Sequence, residues 1–328
     1  MKIGIAQINT RVANTLSGLD YNLKKITHTI DAIWHNCDLI VFPEMTLTWY
    51  PLNDILDDDV FVKQQKEGVY TLQKHIQQYS PSCKILVWGV DYNETQLLPG
   101  DKMVKYNTVY LIDAHNIETY YKKLLPDYDV FFEKRYFQSW QKELFFSPTE
   151  NSLASITICE DIWDENYDIH PINDIKQHNK NIDIVCNLSS SPFAIGKLEK
   201  RVNLLKRHHK NMPAYYVYVN QVWWQDELIF DGSSMILDKQ GNIIYCAKAF
   251  EEEITIVDLD KEYTDITAEI IAESNNKYER IYHTLCLGLK DYLAKTGIQD
   301  VMIWVSWGVD SAVDITLLRS ILSPDHIH

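Results

Sequence analysis

The chain has 328 residues, 46% of them hydrophobic, and a formal net charge of −15. That length can bury a sizeable core, while the acidic balance argues against nonspecific binding to nucleic acid, because phosphate repels such a surface. No run of about 18 apolar residues is present to span a membrane, and six cysteines far apart with no Cys-x-x-Cys spacing argue against zinc sites and disulfide frameworks.

Residues 2–8 have the pattern of a strand rather than a signal peptide, so the expected location is the cytoplasm, where thiols stay reduced. A helix over 23–34 and a strand over 39–42 follow, and this strand runs into Phe42-Pro-Glu44. A helix over 70–79 leads to strands at 84–90 and 108–112, and then to Tyr121-Lys-Lys-Leu-Leu-Pro-Asp-Tyr128. The strand 155–158 closes on Cys159; strands at 182–187, 215–220, 234–237 and 253–257 follow, with a helix over 197–209 between them. Strands mixed with helices of this size predict an α/β layered architecture. There is no internal repeat or low-complexity tract.

Three of these elements end on groups with complementary chemistry. A free thiol has a pKa of about 8.5 and gains reactivity from a nearby ammonium and a carboxylate that accepts its proton. Glu44 is the expected base, Cys159 the nucleophile, and Lys122 the cation that stabilises the thiolate and the oxyanion, with the Glu160 N–H as a second donor. Together they suit amide hydrolysis through a thioester. Taken singly, each has an ordinary reading: an apolar cysteine is usually core, a glutamate after Phe-Pro a turn residue, and a lysine pair a solvated face.

The surrounding residues resemble one family. Phe42-Pro-Glu-Met-Thr-Leu-Thr48 with Tyr50-Pro51, Leu124-Leu-Pro-Asp-Tyr-Asp-Val-Phe131 with Glu133-Lys-Arg-Tyr-Phe137, and Ile158-Cys-Glu-Asp-Ile-Trp163 are similar to the glutamate, lysine and cysteine motifs of the glutamine-dependent NAD synthetases. Their amino-terminal half is a nitrilase-type glutaminase. Ser190-Ser-Pro-Phe193, Tyr218-Val-Asn-Gln-Val222 and Gln225-Asp-Glu-Leu-Ile-Phe-Asp-Gly232 match as well, so the resemblance covers essentially the whole chain. It implies an α-β-β-α nitrilase-type sandwich followed by an incomplete Rossmann-like ATP-pyrophosphatase domain. It also implies that the catalytic lysine is Lys122 rather than Lys123, that Tyr128 and Glu133 lie close to that lysine, and that Tyr128, Glu133, Glu160, Ser190, Pro192, Phe193 and Glu227 line the glutamine site. Packing alone would equally explain Tyr128 and Phe193.

Near the carboxyl end, a strand over 300–306 and a helix over 312–322 frame Ser306-Trp-Gly-Val-Asp-Ser311. A loop that meets a helix N-terminus collects unpaired N–H groups and favours anions. This one resembles the pyrophosphate loop Ser-Gly-Gly-X-Asp-Ser, with Ser306, Gly308, Asp310 and Ser311 in place, although serine and aspartate before a helix are also ordinary caps. The expected division is a glutaminase over 1–262, a linker over 263–276, and the truncated start of a synthetase domain over 277–328, with a helix at 277–295.

The resemblance implies hydrolysis of L-glutamine by this part. In the full enzyme the ammonia would amidate nicotinic acid adenine dinucleotide with ATP and Mg2+, with no resident metal in the glutaminase half and homo-oligomers forming through it. The alternatives are a stand-alone nitrilase-type amidase or carbamoylase, and an inactive remnant serving as an assembly partner.

The departures from the family pattern share a form. Trp49, Trp88, Trp140, Trp223, Trp224, Trp304 and Trp307 stand where the family has, or is expected to have, glycine, and 11 glycines in 328 residues is about 3% against a usual share of about 7%. This suggests that the source reads UGA as glycine and that the gene was translated with UGA as tryptophan; seven independent substitutions are the alternative. A protein carrying all seven tryptophans is expected to have an obstructed phosphate loop and to lose about 1–3 kcal/mol per overpacked site.

Overall fold

The computed structural model describes residues 1–11, 16–98 and 102–328. Valine-, isoleucine- and tyrosine-rich segments form most of its strands, as their half-buried packing favours. In chain order the elements are β1 (Lys2–Gln7), α1 (Leu16–Ile33), β2 (Leu39–Val41), α2 (Asp59–Tyr79), β3 (Ile85–Leu98), β4 (Lys102–Ile112), β5 (Ile117–Tyr121), α3 (Glu133–Tyr136) and β6 (Phe145–Phe146). Then come β7 (Ala154–Ile158), α4 (Pro171–His178), β8 (Ile184–Ser189), α5 (Lys197–Asn211), β9 (Tyr215–Asn220), β10 (Val222–Gln225), β11 (Leu228–Asp231) and β12 (Met235–Leu237). The last are β13 (Ile243–Cys246), β14 (Glu253–Asp258), α6 (Thr267–Asn275), α7 (Lys277–Thr296) and α8 (Val309–Ile321).

Two six-stranded sheets run in the orders β14-β1-β2-β3-β4-β5 and β13-β12-β9-β8-β7-β6. Each has a parallel centre, β1-β2-β3 in one and β7-β8-β9 in the other. Their inner faces meet in one core, where Ile3, Ile5 and Val41 pack with Ile156, Ile158, Cys186 and Val217. α1 and α2 cover the outer face of the first sheet through Ile26, Ile30, Val69 and Leu72. α4, α5 and α6 cover the other through Ile172, Ile175, Val202, Leu205 and Ile270. The layers are therefore α-β-β-α, as expected, and burial on both faces explains the apolar runs of β7 and β8.

Three expectations differ. The segment 263–276 is no free linker, because α6 occupies most of it and buries Ile270 against the second sheet's helices. Residues 300–306 form no strand: Val301 makes an isolated bridge to Ile327, and most of the segment is exposed. A strand needs neighbours for its backbone groups, and among the described residues 277–328 supplies only helices and that bridge. Trp307 is consequently fully exposed, so its indole does not obstruct the loop beside it. Also absent from the predicted elements are β5, β6, β10, β11, β13, α3, α4 and α6, which are all short.

The segment beyond α6 is joined closely to the sandwich. α7 turns Arg280, Thr284, Gly288 and Asp291 inward at helical spacing, and a Cβ on Gly288 would stand 2.8 Å from Ile229 Cδ1. Asp291 accepts from the Trp224 N–H at 2.8 Å and from Asn9 Nδ2 at 2.7 Å.

Candidate active site

The carboxyl ends of β2, β5, β7 and β8 carry the groups singled out in the sequence, and ligands of open α/β sheets commonly sit at such ends. Glu44 follows β2, Lys122 follows β5, Cys159 follows β7 and Ser190 follows β8. All four are buried.

Lys122 Nζ donates to Glu44 Oε1 at 2.9 Å and to Glu133 Oε1 at 2.8 Å. Asn107 Nδ2 donates to both carboxylates, at 3.0 Å to Glu44 and 3.2 Å to Glu133, and its own oxygen accepts from Trp88 Nε1 at 2.6 Å. Burial opposes a charge on Lys122, yet Glu133 and Glu44 outweigh it and hold the ammonium well above its ordinary pKa. Burial pushes Glu133 up to about 7, against the pull of Lys122. Lys123 faces away, paired with Glu143 at 2.5 Å and Asp174 at 3.0 Å, as alternation along an extended chain requires.

Cys159 begins a tight turn of four residues and adopts φ +37°. A non-glycine residue in that region carries strain of about 1–2 kcal/mol, which the surrounding structure must hold. Burial raises the thiol's pKa, the charge of Glu44 raises it further, and Lys122 pulls it down. The nucleophile candidate thus rests as a thiol, with the carboxylate and the ammonium as its leading charged neighbours. The Ser190 N–H donates to Glu44 Oε2 and its hydroxyl to the Glu44 carbonyl, both at 3.0 Å. Gln221 Nε2 also donates to that carbonyl.

The next residue builds a second polar corner. Glu160 accepts from the Tyr128 hydroxyl at 2.9 and 3.0 Å and from the Tyr167 hydroxyl at 3.0 Å. Burial raises its pKa, while Lys122 and the two phenols oppose that shift. Lys197 Nζ lies 3.9 Å from the Trp163 ring centroid, and burial together with Arg201 lowers its pKa.

Other expected residues fall elsewhere. Phe193 packs on Phe250 and under the Arg280 guanidinium, and the Pro192 carbonyl accepts from Arg201 at 3.2 Å. Glu227 is exposed at the turn between β10 and β11. Asn107, Tyr167, Lys197 and Gln221 are not among the expected site residues; the signals present were an asparagine inside the β4 strand and the motif match around Gln221. A groove of about 1100 Å3 between α7 and residues 248–252 contains none of the triad. Among the described residues no cluster of three His, Cys, Asp or Glu side chains is arranged for a metal.

Residues 2–269 match the model of the carbon-nitrogen hydrolase family. The chain belongs to that family. The chain is 32% identical to a glutamine-dependent NAD(+) synthetase of Synechocystis sp., aligned over 99% of this chain and 58% of the relative. It is 31% identical to one of Acinetobacter baylyi, over 99% and 56%. Among solved structures, a glutamine-dependent NAD+ synthetase of Acinetobacter baumannii in complex with ADP superposes with a TM-score of 0.83 at 28% identity, covering 100% of this chain and 58% of the other. An amidase of Nesterenkonia sp. shares the hydrolase fold at TM-score 0.65 and 17% identity, over 83% and 95%. The chain thus spans somewhat over half the length of the synthetases it matches.

Proposed function

We propose that this chain is the glutaminase-bearing part of a glutamine-dependent NAD synthetase and that it hydrolyses L-glutamine to glutamate and ammonia. The observation that carries the reading is the Lys122 ammonium clasped by Glu44 and Glu133 beside the Cys159 thiol, with a phenol-held carboxylate on the next residue. Glu44 takes the thiol proton as Sγ attacks the side-chain amide carbon. The Lys122 ammonium and the Glu160 N–H stabilise the oxyanion. As the tetrahedral intermediate collapses, Glu44 returns the proton to the departing nitrogen and ammonia leaves. Glu44 then deprotonates a water that attacks the thioester, and on collapse it gives that proton back to the thiolate.

The Glu160 carboxylate, with Tyr128 and Tyr167 on it, suits the α-ammonium of an amino-acid substrate, which favours glutamine over a simple amide. In the longer protein the ammonia would amidate nicotinic acid adenine dinucleotide, with ATP and Mg2+ serving that ligation. The loop Ser306–Ser311 does not form a phosphate cradle in this chain: the Ser306 N–H donates to Ser311 Oγ and the Gly308 N–H to Ser306 Oγ, both at 3.1 Å. No step here runs through ATP. Glutamate release from glutamine, lost in Cys159→Ala, tests the reading. A higher kcat/KM for an amide lacking the α-amino group would replace it with a general amidase.

A further inference from the structure

Asp161 is buried and uses both carboxylate oxygens, although it holds no proton the reaction needs. Oδ1 accepts from the backbone N–H groups of Lys123 at 3.0 Å and Leu124 at 2.9 Å. Oδ2 accepts from the Tyr120 hydroxyl at 2.8 Å and the Ile158 N–H at 2.9 Å. Three of these donors flank Lys122, and the fourth belongs to the residue before Cys159. They also come from different sheets, since Tyr120 lies in β5 and Ile158 in β7.

We propose that Asp161 is a positioning residue that sets the Lys122 ammonium against the Cys159 turn by tying the end of β5 to the end of β7. Lys122 and Cys159 have no shared element, so their separation depends on how the two sheet edges are joined. A carboxylate is suited to the task because three of the four partners are backbone N–H groups that can only donate. An asparagine would present an NH2 to one pair. With its nitrogen in place of Oδ2, the Tyr120 hydroxyl can turn and accept, but the Ile158 N–H loses its acceptor next to the nucleophile. The reverse orientation strips the N–H groups of Lys123 and Leu124. Either way one side of the clamp opens.

The inference rests on the thioester reading for the identity of the reacting sulfur, so its test reads the thiol itself. The rate of Cys159 alkylation by iodoacetamide is followed against pH by mass spectrometry of the Cys159 peptide. Expected for Asp161→Asn is a rate about tenfold or more lower at neutral pH and a profile displaced upward, because a shifted ammonium stabilises the thiolate less. Ile236→Ala, which thins the second sheet's inner face away from Lys122, serves as the destabilised reference and keeps the parent profile. A folded Asp161→Asn with the parent profile overturns the proposal and leaves a purely structural carboxylate. Should Asp161→Asn not fold, Tyr120→Phe removes one donor from the same carboxylate and must displace the profile in the same direction, about twofold or more; an unmoved profile again overturns it. Failure of glutamine as substrate changes none of these outcomes, so the two readings fail separately.

Discussion

The Lys122 ammonium stands 2.9 Å from the Glu44 carboxylate across 78 positions of sequence, with both groups fully enclosed. A buried cation between carboxylates is held by their attraction against a large desolvation cost, and removing one partner leaves the others unpaired. Lys122→Met would set Glu44 and Glu133 against each other in the interior. The expected loss is about 3–5 kcal/mol in urea denaturation, and glutamate release falls by about a hundredfold or more in whatever fraction stays folded. Full activity in a folded Lys122→Met protein would remove the oxyanion role.

Glu133 makes the site sensitive to pH. Its pKa is raised in the fold from 4.5 to about 7, so between those values the folded chain holds a proton that the unfolded chain has released. This group therefore favours folding at low pH, and the contribution is lost as pH rises through about 7. Only the charged form pairs with Lys122, so kcat/KM is expected to carry an acid limb near pH 7. Glu133→Gln should abolish that limb, lower the plateau about tenfold or more, and flatten the dependence of stability on pH between 4.5 and about 7. A limb that survives in Glu133→Gln belongs to another group.

Recognition of the substrate is expected to centre on Glu160. Glu160→Gln keeps the shape and loses the charge that faces an α-ammonium, so KM for glutamine rises by about tenfold or more while simple amides are affected little. Tyr128→Phe removes one of the two phenols and raises KM less, by about three- to tenfold. Equal losses for glutamine and for an amide without the amino group would argue that Glu160 shapes the turn and touches no substrate.

The segment beyond the matched hydrolase residues is predicted to stabilise the sandwich. Asp231 is completely buried between Arg201, at 2.8 Å from β11 to α5, and Arg280 of α7, at 2.7 Å. Arg280→Met leaves Asp231 with Arg201 and removes a charge-assisted bond at full burial, which should cost about 1.5–3 kcal/mol in a urea titration. Arg201→Met should cost more, because the Ser191 and Pro192 carbonyls lose a donor as well. Additive losses in the double variant would show that the two arginines act independently.

Trp49 has φ +87°, in the region that glycine occupies freely, and its indole N–H is buried without an acceptor, as is that of Trp223. Trp88 is seated with a hydrogen bond to Asn107, while Trp304 and Trp307 stand in solvent. The strain at position 49 supports glycine as the native residue there. Peptide sequencing of the protein from the organism that carries the gene should find glycine at all seven positions, and tryptophan at Trp49, Trp223 and Trp307 would end the recoding hypothesis.

Much of the sandwich was legible because its central strands are apolar runs buried on both faces, and its long helices keep a clear period. β10 and β11 were not, since they are four-residue strands that pair only with each other, outside the two six-stranded sheets. The region 300–306 misled for the opposite reason: it has a strand's composition, but a strand exists only where other backbone groups pair with it. Glu44, Lys122 and Cys159 could be named because each sits within a distinctive motif. Asn107, Tyr167 and Gln221 could not, because a polar residue in a strand or loop carries no mark of the charged group it will meet.

Sequence by itself determined the residue types for thioester chemistry and the layered fold that could bring them together. Only the tertiary structure decided that Asn107 bridges Glu44 and Glu133, that Glu160 is held by two phenols, and that the Asp161 carboxylate accepts from the ends of both β5 and β7. The reason is that such contacts depend on how strand ends and loops are brought together in space, and local propensity contains no term for that arrangement.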